Sequence, residues 1–189
     1  MNRRMWTHAS SLAALLIVLF IGCSGRANRE VAQSFVAQFE KVAAKDKESD
    51  DLEKQGNEYN NELEKALQET NSVKRAKAFG VWVTQYRGLV SQARSILDTQ
   101  NSLIDGLVAD SAKFTGDANR YARESTDDLR QYLDAERSGL AVGEQLPAEI
   151  ESYVDRPETA DPKRLEELGK QSEVLDSKSK RLSSGPKTL

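Results

Sequence analysis

Apolar residues along this chain return at intervals of three and four. Val31, Phe35, Phe39 and Val42 are four, four and three apart, a spacing that stacks side chains on one face of an α-helix. Past the charged stretch Lys45 to Asp51, the residues Leu52, Tyr59, Ala66 and Val73 recur every seven, with Leu63 beside them. That seam is thin, and it predicts a helix mostly in water. A stronger row follows in Trp82, Tyr86, Leu89, Ala93, Ile96, Gln100, Leu103 and Leu107, alternating steps of four and three. Phe79, Val83, Val90, Leu97, Ile104 and Val108 form a second row next to it. Two adjacent rows make a stripe wide enough for two partner helices, as the central element of a bundle requires.

Phe114, Ala118, Tyr121, Ser125 and Tyr132 keep the same phase past Gly116, with Leu129 and Leu133 close by. The chain therefore runs through Gly116 as one helix or kinks there. No proline lies between Cys23 and Leu146, so nothing in that span forbids long helices. Reversals are expected within Glu69 to Gly80, where Asn71, Ser72 and Gly80 cluster, and around Asp110 to Gly116. Phe79, Val81 and Val83 alternate as a strand would, but no second strand exists to pair with, and a lone strand leaves its backbone unpaired.

Gly139 and Gly143 bracket a helix end. Pro147 opens a short helix holding Ile150, Tyr153 and Val154, which stops before Pro157. Asp161-Pro162 is a start signal, a capping acid followed by proline at the first helical position. That helix carries Leu165, Leu168, Val174 and Leu175, supported by the spacings Glu166 to Lys170 and Asp176 to Lys180, and Gly185-Pro186 ends it. The expected fold is all-α, an elongated helical hairpin or bundle of long amphipathic helices with shorter C-terminal helices. Its parts are a long-helix bundle over 28–138, a loop and short helix over 139–161, a C-terminal helix over 162–183 and a disordered tail over 184–189.

The first 22 residues are of another kind. Arg3 and Arg4 precede an apolar run from Leu12 to Ile21, and no acid is present. A basic start, roughly ten apolar residues and a small residue at the end describe a secretory signal. A ten-residue helix is about 15 Å long, half the roughly 30 Å hydrocarbon core of a bilayer. The run closes in Leu19-Phe20-Ile21-Gly22-Cys23, which resembles the lipobox of bacterial lipoprotein signal peptides. Gly22 and Cys23 match its strict positions, while Phe20 stands where leucine is usual. The resemblance covers residues 1–23 alone. It implies cleavage between Gly22 and Cys23, a diacylglyceryl group and further acylation, such as palmitate, on Cys23, and a short tether over 23–27. Two or more acyl chains give stable anchoring where one gives marginal binding. Ser24, where enteric lipoproteins kept at the inner membrane have aspartate, implies the periplasmic face of the outer membrane in an organism that has one, and otherwise the outer face of the plasma membrane.

Chemistry is restricted sharply by what the rest of the chain lacks. Cys23 is the one cysteine and His8, inside the signal, the one histidine. Without a histidine or a free thiol in the mature chain there is no Ser-His-Asp triad, no Cys-His pair and no imidazole or thiolate zinc site. The mature chain has 25 Lys+Arg against 30 Asp+Glu; this acidic balance opposes nucleic-acid binding, which draws on basic residues against phosphates. No glycine-rich phosphate loop is present. Asp51 to Glu62 carries an acid first, Gly56 sixth and Glu62 twelfth, as a calcium-binding EF-hand loop would, but Glu53, Gln55 and Glu58 depart from it and the bland reading is a polar helix. Ser177-Lys178-Ser179-Lys180 contains Ser-x-x-Lys in a polar end where nothing desolvates the lysine. The aromatics Trp82, Tyr86, Tyr121 and Tyr132 lie on the helical stripe and read as core. The basic end Lys178, Lys180, Arg181 and Lys187 reads as a solvated terminus.

No catalytic residue, cofactor or metal is therefore expected. The leading expectation is a lipid-anchored envelope protein whose helices bind, space or scaffold, with membrane lipid engaged through acylated Cys23 and a partner helix or a second copy completing the thin seam. A small-ligand or weakly catalytic carboxylate site between helices around Trp82 is an alternative. So is a single-pass inner-membrane protein that keeps its first helix.

Overall fold

A computed structural model describes residues 26–155 and 162–183, and every regular element among them is a helix. The elements are α1 (Arg26–Leu67), α2 (Ser72–Ser111), α3 (Gly116–Gly143), α4 (Leu146–Asp155) and α5 (Pro162–Ser183). The fold is all-α, as the periodicity requires. α1 and α2 form an antiparallel hairpin, α3 returns along α2, α4 sits against α2 and α5, and α5 runs back along α3. With 40 residues, α2 is about 60 Å long, several times the thickness of one helix. Two ends can be named. The base holds the start of α1 and the α2–α3 turn, and the tip holds the α1–α2 turn.

The core gathers towards the base. Phe35, Phe39 and Val42 of α1 meet Leu97, Ile104 and Leu107 of α2 and Ala118, Ala122 and Leu133 of α3. Phe35 is fully buried and packs edge-on against Phe114, ring centroids 5.7 Å apart. Phe114 stands in the turn between α2 and α3, so one aromatic contact ties the base of the hairpin to the start of the third helix. Gly116 opens α3 with φ +62°, a left-handed conformation that glycine adopts without the steric cost a side chain would add. Asn119 Nδ2 donates to the Ser111 carbonyl at 2.7 Å and closes the same corner.

Charge pairs set the alignment of the later helices on α2. Arg130 bonds Asp105 at 2.7 Å and Arg137 bonds Asp98 at 2.9 Å. Further along, the polarity reverses: Arg94 meets Glu144, and Arg87 meets Glu151 at 2.8 Å. Each partner set is spaced by seven residues. Sliding by one heptad in either direction leaves two opposite pairs in place of four and brings one like pair together, Glu144 towards Asp98 one way and Arg137 towards Arg94 the other. Each exposed pair contributes only about 0.2–1 kcal/mol, so the ladder selects a register more than it holds the fold.

Several expectations need correction. The first reversal lies between Leu67 and Ser72, at the near edge of the expected window, and Gly80 is inside α2. Asn71 sets this break: its side chain accepts from the backbone N–H of Val73 and Lys74, capping α2. Val73, counted on the thin seam of the first helix, thus belongs to the second and is 77% exposed. The second reversal, residues 112–115, falls inside the expected window Asp110 to Gly116, so the chain does not run through Gly116 as one helix; the buried residues of α3 are Ala118, Ala122, Thr126, Leu133, Ala135 and Val142. Of the row expected past Gly116, Phe114, Ala118 and the neighbouring Leu133 are buried, whereas Tyr121, Ser125 and Tyr132 are half-buried. α3 passes Gly139 and ends at Gly143, five residues beyond the expected limit at 138. Arg26 and Ala27, placed in the tether, are already helical.

Gly106 marks a close approach of α1 to α2. A β-carbon there would collide with the Gln38 side-chain oxygen, and Gln38 Nε2 donates to buried Asp110 at 2.9 Å. Gly106→Ala gains roughly 0.5–1 kcal/mol of helix preference but displaces Gln38, whose bond to a charged group is worth about 1.5–3 kcal/mol. The variant is expected to lower the urea midpoint, and in a Gln38→Ala background the same substitution is expected to raise it. A double-mutant cycle reads that change of sign.

Candidate functional site

Two polar constellations stand out, one at each end of the rod. At the base, Asp110 continues the central row of α2 three residues after Leu107 and is 4% exposed. Its carboxylate accepts from Ser34 Oγ at 2.7 Å and Gln38 Nε2 at 2.9 Å, both from α1, and from Lys113 Nζ at 2.6 Å. Burial pushes this carboxyl up. The hydrogen bonds from Lys113 and Ser34, with the Lys113 charge, outweigh burial and hold it below the ordinary carboxylate value. Every donor comes from the fold itself, so the cluster is a structural clasp between α1 and α2.

At the tip, Glu62 of α1 faces Lys74, Lys77, Ala78, Val81 and Trp82 of α2 across a cleft of about 310 Å³. The Trp82 ring, 3% exposed, stacks on Tyr86 with centroids 4.9 Å apart. Burial pushes the Tyr86 hydroxyl above its ordinary value. That hydroxyl lies 3.1 Å from where a β-carbon on Gly143 would sit, so the end of α3 packs closely against Tyr86. Trp82 Nε1 is buried without an acceptor among the described residues. Val81 at the rim is 49% exposed.

Other sequence candidates resolve differently. Asp51 to Glu62 is continuous helix, so its carboxylates fan around the axis instead of converging as a calcium loop demands. Among the described residues no group of three metal-ligating side chains comes together. Ser177 to Lys180 lies within α5, with Ser177 and Lys178 exposed. A second groove, of about 450 Å³, runs beside Ser91, Ser95, Thr99 and Ser102. Its charged groups Arg94 and Asp98 are already paired across to α3 and its neighbour, and the Thr99 and Ser102 hydroxyls donate to their own helix. Gly22 and Cys23, the cleavage and lipidation positions, lie outside the described residues, as do Lys187 and the expected tail over 184–189, while Lys178, Lys180 and Arg181 fall within α5. No helix among the described residues is long and apolar enough to cross a membrane.

Sequence reasoning missed the clasp; of the tip cleft, the alternative site between helices around Trp82 names the tryptophan and the presence of an acid but not Lys74 or Lys77. Asp110 was signalled, because adding three to Leu107 in the four-three series lands on it. The tip was signalled by charge: from Thr70 to Leu97 there is no acid at all, in a chain with 30, while Lys74, Arg75, Lys77, Arg87 and Arg94 fall in that stretch. No family model, no curated protein and no solved structure matches this chain.

Proposed function

We propose that this protein is a lipid-anchored envelope protein with a non-catalytic helical domain, held to its bilayer by acyl chains on Cys23 and serving as a spacer or scaffold that presents a binding surface at a distance. The observation that carries the reading is the position of the only cysteine, directly after Gly22 and an apolar run of signal length. Supporting it, α1 is helical from Arg26, three positions beyond that cysteine. A lipid at Cys23 would therefore set the base of the hairpin near the headgroups and the tip about 60 Å away. The chemistry of the mature chain agrees with a mechanical or binding role, since it offers neither imidazole nor thiol.

Metabolic labelling with a fatty acid, compared between wild type and Cys23→Ala in the native host, tests the anchor. Wild type is expected to incorporate label and to fractionate with membranes, and Cys23→Ala to incorporate none. Equal labelling, or none in either, rejects lipidation.

A further inference from the structure

We infer that the cleft at the tip of the α1–α2 hairpin is a docking site for an acidic peptide segment of a partner protein, with Lys74 and Lys77 taking its carboxylates and Val81 and Trp82 its apolar side chains. The inference begins with unused charge. Arg87 and Arg94, in the same acid-free stretch, are satisfied by Glu151 and Glu144. Lys74 and Lys77 have no ion pair among the described residues, and neither has Glu62 across the cleft. The two lysines also stand in the first turns of α2, with no acid in the first turn. There the helix dipole repels cations and attracts anions. Acids are the stabilising choice at this position; Lys74 and Lys77, both lining the cleft, point instead to an anion supplied from outside.

The apolar half of the cleft argues for a peptide over a bare anion. Ala78, Val81 and the Trp82 ring form its wall and floor, and a Val81 rim that is 49% exposed gains by being covered. Trp82 Nε1 is buried and has no acceptor among the described residues, and an unpaired buried donor is unfavourable. In the complex, a carboxylate or peptide carbonyl of the incoming segment supplies that acceptor. Glu62 can then receive a backbone N–H of the same segment. A volume of about 310 Å³ admits two or three side chains.

The site does not depend on lipid attachment, so the Cys23→Ala protein is expected to bind as wild type does, and either idea can fail alone. The test uses the full-length, 15N-labelled chain in a neutral detergent, following the indole N–H of Trp82, assigned by its loss in Trp82→Phe. An acetylated hexapeptide alternating aspartate and leucine is expected to shift that resonance saturably, and its lysine–leucine counterpart is not. Lys74→Glu with Lys77→Glu is expected to weaken the acidic peptide about tenfold or more, whereas Arg75→Glu, outside the cleft, changes it less than about threefold. Circular dichroism of each variant checks that the helices remain. The proposal is overturned by no shift at any soluble peptide concentration, by equal binding of both peptides, or by indifference to the double substitution. A shift reproduced by acetate alone, or one that grows with protein concentration in the absence of peptide, also overturns it, the first indicating an anion subsite only and the second a pairing of two copies.

Discussion

Phe35→Ala is expected to lower the unfolding free energy by about 3–5 kcal/mol, the range found when a buried phenylalanine is truncated. Phe35 is fully buried, its ring lies edge-on to Phe114, and its neighbours come from α1, α2 and α3. Removing the ring opens a cavity that three helices border and that none can fill without moving the other two. Since small domains hold only about 5–15 kcal/mol in total, the base of the rod should loosen at ambient temperature. Val73→Ala is the control: that side chain is 77% exposed, and its loss should change stability by less than about 0.5 kcal/mol. Urea unfolding of the full chain, followed by far-ultraviolet circular dichroism, reads both.

Asp110→Ala is expected to cost about 2–3 kcal/mol near neutral pH, because it removes the one acceptor that Ser34, Gln38 and Lys113 share. The same clasp gives an acid-sensitive contribution whose sign follows from the depressed carboxyl of Asp110. A carboxyl that is more acidic in the folded chain than in the unfolded one binds its proton more readily after unfolding. Stability from this group is therefore fully present above the unfolded value, near 3.9, and is lost as pH falls through the lower folded value. Asp110→Asn, which cannot titrate, should lose that part of the acid dependence. The difference between wild type and Asp110→Asn in urea midpoint should be largest near neutrality and shrink below about pH 4. A difference that stays constant across that range would show that Asp110 is not charged in the folded chain.

Helix content and the central role of α2 were legible because burial on a 3.6-residue period leaves a direct trace. Trp82, Leu89, Ile96, Gln100 and Leu107, all on the expected row, are buried. Even Gln100, polar and on the seam, is 2% exposed. The α3 face was legible only in part: Ala118 and Leu133 were on or beside the expected row but Ala122 and Thr126 were not, since the phase of a row carries information only as far as its helix continues, and residues 112–115 reset it. The same limit explains Val73. It keeps the seven-residue spacing of Leu52, Tyr59 and Ala66 but follows a turn that Asn71 caps.

Charge was harder to read than hydrophobicity. Asp98 with Asp105, and Arg130 with Arg137, are spaced for an interhelical ladder, but a chain that is 30% charged offers many seven-residue coincidences. Only the register chosen by the core decides which of them meet. Asp110 illustrates the converse: an acid reads as surface unless its place in the apolar series is taken at face value. The tip cleft needed both helices, because Glu62 and Lys74 come together only once the α1–α2 turn is fixed.

The most direct test of the anchored-rod account is the intact mass of the protein purified from its native membranes with detergent. The account predicts a polypeptide that begins at Cys23 and carries the added mass of a diacylglyceryl group, with or without a further acyl chain. An unmodified chain that still starts at Met1 would contradict it.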